Sequence, residues 1–240
     1  MTAPPETPSR LAVLVSGGGS NLGALLSHFN AAASPVARIV VVLADRPGIG
    51  ALSRAADAGV PAEVLTDPAD GDALDVILAR HRVDLVVLAG YLRLVPARVT
   101  ERFAGRMVNV HPALLPRHGG PGMYGARVHR AVLASGDAVS GATVHFVDAA
   151  YDRGPPIAWA RVGVRPDDTT ETLAARVLVG EHFVLPRVVE AIALGLVRPE
   201  SDGRVRVDPA ARALFAAAPP GVRVDLAGEA GRRGAEYRAD

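Results

Sequence analysis

The chain has 240 residues, enough for one large domain or two small ones; 49% are hydrophobic and 4% aromatic, so a sizeable aliphatic core is expected. A formal charge of +1, with no basic run, offers no long-range attraction to nucleic acid or to a membrane surface. The absence of cysteine excludes disulfides, thiolate metal sites and a cysteine nucleophile.

The N-terminal MTAPPETPSR is polar and proline-rich, unlike a secretory signal. No apolar run approaches the roughly 20 residues of a spanning helix. These features predict a soluble, cytoplasmic α/β protein. Residues 11–17, LAVLVSG, form a continuous apolar run ending at glycine, as expected of a strand buried on both faces. Residues 20–30 then show helical spacing, with Ser20 or Asn21 placed to cap. Strands are predicted over 37–46, 61–66, 83–90 and 106–111, alternating with helices over 50–59, 71–81 and 96–103. Gly59 closes the second helix. Such alternation predicts a mostly parallel, Rossmann-like sheet flanked by helices, with ligands beyond the strand C-termini.

After residue 125 the pattern changes. A helix is predicted over 125–136, followed by an antiparallel pair of extended runs at 140–148 and 155–164. Residues 169–195 form a long amphipathic stretch, with Thr169 or Thr170 as N-cap and Glu171 in the first turn. Pro186 is expected to kink or divide it. Residues 199–240, rich in Ala, Gly, Pro and Arg, predict a short hairpin around Gly203 and a weakly ordered tail.

Two sites stand out. SGGGSNL (16–22) joins the first strand to the first helix, where glycines allow close backbone approach and a helix N-terminus offers a seat for phosphate. A dinucleotide fingerprint fails there, because Leu22 or Ser20 occupies a required glycine position. Asp45 after the second strand keeps that reading as a rival, as the ribose-binding acid. No Gly-Lys-Ser/Thr follows, so the loop is not a P-loop.

The second site is NVHPALLP (109–116). Asn109 and His111, two apart on a strand end, point to the same face, and Pro112 turns the chain away. VDAAYDRGPP (147–156) supplies Asp148 or Asp152 as the carboxylate of an acid–base group. A carboxylate beside His111 would stabilise its charged form, and the Asn109 amide can donate to a developing oxyanion. The set suits acyl transfer without a metal or covalent intermediate. His145 alternates toward the same cleft, as site or core residue in equal measure. His118, His129 and His182 lie in loops or on helix faces, and His28 and His81 read as helix-surface residues. No His-Glu-x-x-His spacing occurs, so no metal is expected. Taken singly, a strand-end Asx turn, a core histidine and a turn former would account for Asn109, His111 and Asp152.

Together, SGGGSNL, VVLAGYLRLV, NVHPALLP, GATVHFVDAAYDRGPPI and TLAARVLVGEH resemble, in order and separation, the folate-dependent phosphoribosylglycinamide formyltransferase family of purine synthesis. The resemblance covers about residues 10–195 and implies one formyltransferase domain, with a nucleotide-binding half (about 10–111) and a folate and catalytic half (about 112–195). It implies that Gly18, Gly19, Ser20 and Asn21 hold the phosphate and ribose of glycinamide ribonucleotide, with Glu181 on the ribose hydroxyls. It implies that Arg93, Leu94, Val95, Val147 and Asp148 line the folate pocket, and that Asn109, His111 and Asp152 are catalytic. The co-substrate would be 10-formyltetrahydrofolate, with direct transfer through a tetrahedral intermediate. Partners would be small molecules, without nucleic acid or membrane, and the enzyme a monomer or homodimer. The segment 117–129 is longer than the compact form of this loop in the family, and the acidic 66–75 lacks a basic residue some members carry near the folate. Three other readings compete. A formyltetrahydrofolate deformylase would carry an additional N-terminal domain, for which ten residues before the first strand leave no room. A methionyl-tRNA formyltransferase would carry an RNA-binding domain. A nucleotide-binding module would need no Asn-His-Asp cluster.

Overall fold

The computed structural model describes residues 7–31, Ser34 and 36–228. Among the described residues, ten strands lie in chain order: β1 (Ser9–Val15), β2 (Ala37–Ala44), β3 (Ala62–Val64), β4 (Leu85–Leu88), β5 (Met107–His111), β6 (Val139–Phe146), β7 (Pro156–Gly163), β8 (Val197–Pro199), β9 (Val205–Val207) and β10 (Arg223–Leu226). Six α-helices accompany them: α1 (Ser20–Leu26), α2 (Gly50–Asp57), α3 (Gly71–Arg80), α4 (Ala97–Arg102), α5 (Ala126–Ser135) and α6 (Thr170–Ala193). The main sheet runs β10-β7-β6-β5-β4-β1-β2-β3. The half from β3 to β5 is parallel, and β6, β7 and β10 add to it antiparallel.

Period-two alternation distributes the apolar runs between two layers. Leu11, Val13 and Val15 of β1 enter one core with α1, α2 and α6, whereas Ala12 and Leu14 enter the other with α3 and α4. In β2 the phase slips. The β1–β2 register shifts between Leu11 and Ala12, and Val40 and Val41 both join the α3–α4 layer. Among the described residues no helix is long and apolar enough to cross a membrane.

Three expectations need correction. The cap of α1 is Gly19, in the left-handed region at φ 74°, and no side chain caps that helix; Ser20 is its first residue. A Cβ at Gly19 would lie 2.8 Å from Cα and Cβ of Ala51, so the loop needs glycine there to let α2 pack against it. Second, of the kink or division expected at Pro186, division does not occur: α6 runs unbroken through it for 24 residues. Val184, Leu185, Val188 and Val189 around the proline are fully buried, and their packing outweighs the lost amide bond. Of the two candidate N-caps of α6, Thr169 takes the position, and Thr172 reciprocates to complete a capping box. Third, the segment expected to be weakly ordered contributes to the fold. β8 and β9 make the hairpin expected about Gly203, and beyond it a 3-10 turn spans Pro209–Phe215 and β10 covers the edge of β7. Residues 229–240 of that tail lie outside the described residues.

Candidate active site

β5 ends between β4 and β6, beside the point where strand order reverses, and a cleft of about 440 Å³ opens there. Met107 packs into the α3–α4 layer, and Asn109 and His111 continue its face into the cleft. Antiparallel pairing sets Asn109 directly opposite His145 and His111 opposite Thr143. His145 thus lines the cleft beside Asn109: its Nδ1 lies 2.8 Å from the Phe146 carbonyl, and its Nε2 3.0 Å from the Asn109 amide nitrogen. A carbonyl only accepts, so Nδ1 carries a hydrogen, and in the neutral ring Nε2 accepts from Asn109.

Asp152 closes the group from the turn after β6. Its Oδ2 is 3.4 Å from His111 Nδ1 and accepts the Gly120 amide at 2.8 Å; its Oδ1 is 3.6 Å from His145 Nε2. The residue sits at φ 55°, a conformation Asp tolerates better than most. The same turn needs Gly154, where a Cβ would fall 1.9 Å from the Phe146 carbonyl oxygen. Gly154→Ala is therefore expected to destabilise the protein by about 2 kcal/mol or more, through a backbone clash that no rotamer relieves. Chemical denaturation measures it, and a loss under about 0.5 kcal/mol would refute the close approach.

His111 is 4% exposed. Its Nε2 donates to the His118 carbonyl at 2.8 Å, a partner the sequence does not announce, and this leaves Nδ1 to face Asp152. His118 is in turn fixed by Asp137, 2.7 Å from its ring, and Arg117 pairs with the same carboxylate. Contrary to expectation, the charged form of His111 is not favoured. Burial lowers its pKa, and Asp152 and the His118 carbonyl only partly offset this. For Asp152, burial acts to raise the pKa, but His145, His111 and the Gly120 amide outweigh it and hold the carboxyl below its ordinary range. The cluster is therefore a carboxylate beside a neutral imidazole, with a lone pair positioned to take one proton.

At the far side, Asn21 donates to Glu181 at 2.6 Å rather than capping α1. Both are buried and line the cleft. A Cβ at Gly180 would be 3.1 Å from Ala160, so the glycine lets α6 approach β7 closely beside Glu181. Burial pushes the Glu181 carboxyl up, against the lowering by Asn21. Gly18 and Gly19 lie in the adjacent loop and Ser20 at the start of α1, all outside the cleft lining. Arg54 of α2, which sequence reasoning missed, donates to the Gly18 carbonyl at 2.9 Å and brings a cation against that loop. It sits on an exposed helix face and only tertiary packing reveals it.

The opposite wall is the segment after β4. Arg93, Leu94 and Val95 line the cleft with Val147 and Asp148. Tyr91 and His129, which the sequence does not mark as site residues, also line it; the Tyr91 hydroxyl and His129 Nδ1 have no hydrogen-bond partner among the described residues. Asp148 turns its Oδ1 to the Ala150 amide, whereas Asp152 reaches the histidines, which decides between the two carboxylates. Asp45 is not a free ribose acid: its side chain is fully buried against Arg46 and Arg93.

The formyl transferase family profile matches residues 9–189. The chain belongs to the formyl transferase family. It is 41% identical over 202 residues to the chloroplastic phosphoribosylglycinamide formyltransferase of Arabidopsis thaliana, covering 81% of this chain and 68% of that protein. It is 40% identical over 200 residues to the trifunctional purine biosynthetic protein adenosine-3 of Drosophila melanogaster, covering 80% of this chain but 14% of that protein. Among solved structures, glycinamide ribonucleotide transformylase 1 from Symbiobacterium toebii superposes with a TM-score of 0.77 at 39% identity, over 85% of this chain and 96% of that one. The family's formyl transfer needs an acyl-transfer site, and the Asn109–His111–Asp152–His145 cluster has the groups for one.

Proposed function

We propose that this formyl transferase moves the formyl group of 10-formyltetrahydrofolate to the glycyl amine of glycinamide ribonucleotide, giving formylglycinamide ribonucleotide in de novo purine biosynthesis. The named activities of the Arabidopsis and Symbiobacterium relatives support formyl transfer to this nucleotide. The observation that carries the reaction is one cleft lined by Asn21 and Glu181, by the 92–95 wall, and by Asn109, His111 and Asp152. Gly18, Gly19, Ser20 and Asn21, with Arg54 beside them, hold the phosphate and ribose, and Glu181 takes the ribose hydroxyls. Arg93, Leu94, Val95, Val147 and Asp148 hold the folate, and the unpartnered Tyr91 hydroxyl offers its wall a further donor. The same reading has no nucleic-acid or membrane partner and no metal, in a cytoplasmic monomer or homodimer. The domain division follows it: residues 10–111 for the nucleotide, 112–195 for folate and catalysis.

The amine nitrogen attacks the formyl carbon, and negative charge gathers on the formyl oxygen of the tetrahedral intermediate. Asn109 keeps a second amide hydrogen for that oxygen while the first is held by His145. Neutral His111 accepts the proton the amine sheds, and Asp152 stabilises the resulting imidazolium across 3.4 Å. The C–N bond to the folate then breaks, and the same proton passes to the leaving nitrogen.

Purified protein mixed with both substrates should form formylated nucleotide and deformylated folate in equal amounts, only when both are present. Loss of formyl without nucleotide would identify a hydrolase, and nucleotide binding without turnover a binding module. The rate should fall in acid as His111 becomes protonated. Because its pKa is lowered from 6.5, the midpoint of that limb lies below 6.5; a midpoint above that value would refute His111 as the acceptor.

A further inference from the structure

Asp45 lies one residue beyond β2, outside the cleft lining, yet its carboxylate is fully buried. Its backbone amide donates to the Val15 carbonyl at 3.2 Å, which fixes it to the end of β1. Arg46 binds the carboxylate through two nitrogens, at 3.0 and 2.9 Å, and Arg93 Nε donates to it at 3.2 Å. Ser16, the residue that follows β1, helps hold this carboxyl below its ordinary range. The Ser16 oxygen in turn accepts the Leu92 amide at 2.9 Å. One carboxylate thus connects the ends of β1 and β2 to Arg93 of the cleft wall, and Ser16 beside it holds the preceding wall residue, Leu92. That wall needs such an anchor, because residues 90–96 contain no helix or strand.

Resting on the reading of that segment as the folate wall, we propose that Asp45 is a positioning residue that clasps Arg93 directly and Leu92 through Ser16, holding the folate wall in place against Asn109, His111 and Asp152. The clasp can be removed without stranding charge in the core. The side chains of Arg46 and Arg93 are 47% and 55% exposed, so both guanidinium groups return to water when the carboxylate is gone. The fold should survive while the wall loosens.

The test compares Asp45→Ala, Asp45→Asn and Ser16→Ala in the full chain, with 10-formyltetrahydrofolate and glycinamide ribonucleotide varied in turn. In Asp45→Ala the folate KM should rise on the order of tenfold, while kcat and the nucleotide KM stay within about twofold. Ser16→Ala, which cuts only the Leu92 link, should move folate KM the same way by less, and Asp45→Asn, which keeps an acceptor oxygen, should recover part of the loss. Hydrogen exchange at the Leu92 amide should quicken in Asp45→Ala and Ser16→Ala. A folate KM unchanged in Asp45→Ala, or all three parameters worsening in proportion, would overturn the clasp. Should the wild type transfer no formyl group, the functional reading falls, and unchanged Leu92 exchange would still refute the clasp on its own.

Discussion

Asp152→Asn is expected to leave the fold intact and to lower kcat by about 10²–10⁴-fold, the range that one positioned acid–base group contributes. Asn matches Asp in shape, keeps an oxygen for the Gly120 amide, and suits the left-handed backbone at φ 55°. What it lacks is charge. His111 is neutral at rest because burial outweighs its partners, so the proton it accepts during transfer must be stabilised by Asp152 at 3.4 Å. With an amide there, the imidazolium is buried without a counter-charge and its formation becomes costly. Thermal unfolding should register a modest change whose sign follows from linkage. Interactions hold the Asp152 pKa below its unfolded value of 3.8, so the wild type gains stability above about that pH and loses it as acid is added. The variant lacks that gain, and the two melting curves should converge in acid. Steady-state kinetics and unfolding across pH check both parts. Turnover within a few-fold of wild type, in a folded variant, would remove Asp152 from the mechanism.

The elements are legible because strands buried on both faces read as unbroken apolar runs, and LAVLV, IVVVLA and LVVL are such runs. Asn109 and His111 are legible because side-chain alternation on a strand is local geometry. What escapes is what burial and long-range pairing decide. His145 stays balanced between site and core until the β5–β6 register sets it opposite Asn109. The charge state of His111 is misjudged from sequence because a nearby carboxylate can be inferred there, whereas 4% exposure cannot. Pro186 follows the same rule: the local penalty is visible in the sequence, but the apolar packing that overrides it is not. β10 is four residues, RVDL, too short to announce itself, and becomes a strand because β7 offers an open edge. Asp45 stands out in the sequence as an acid after the second strand, but its partners Ser16 and Arg93 are distant along the chain.

Glu181→Gln should separate stability from binding, because the two demands on this side chain conflict. Glu181 is 8% exposed, and its carboxylate accepts a hydrogen bond from Asn21 at 2.6 Å. A buried carboxylate held by a neutral donor is poorly solvated, and burial accordingly raises its pKa above the ordinary 4.5. A carboxyl whose folded pKa is raised favours folding most below its unfolded value, and that contribution is lost as pH rises through the folded pKa. The wild type therefore carries a cost at neutral pH that a neutral glutamine, still accepting from Asn21, avoids. Glu181→Gln is expected to be more stable than the wild type at pH 8, with the gap closing toward pH 4. The nucleotide KM should rise on the order of tenfold or more, since a charged acceptor for two hydroxyls is replaced by a neutral one. Denaturant unfolding at the two pH values, with KM measured for each substrate, tests both. A variant less stable than wild type at pH 8 would mean that the charge is better solvated than the structure indicates, and a nucleotide KM that does not move would take the ribose away from Glu181.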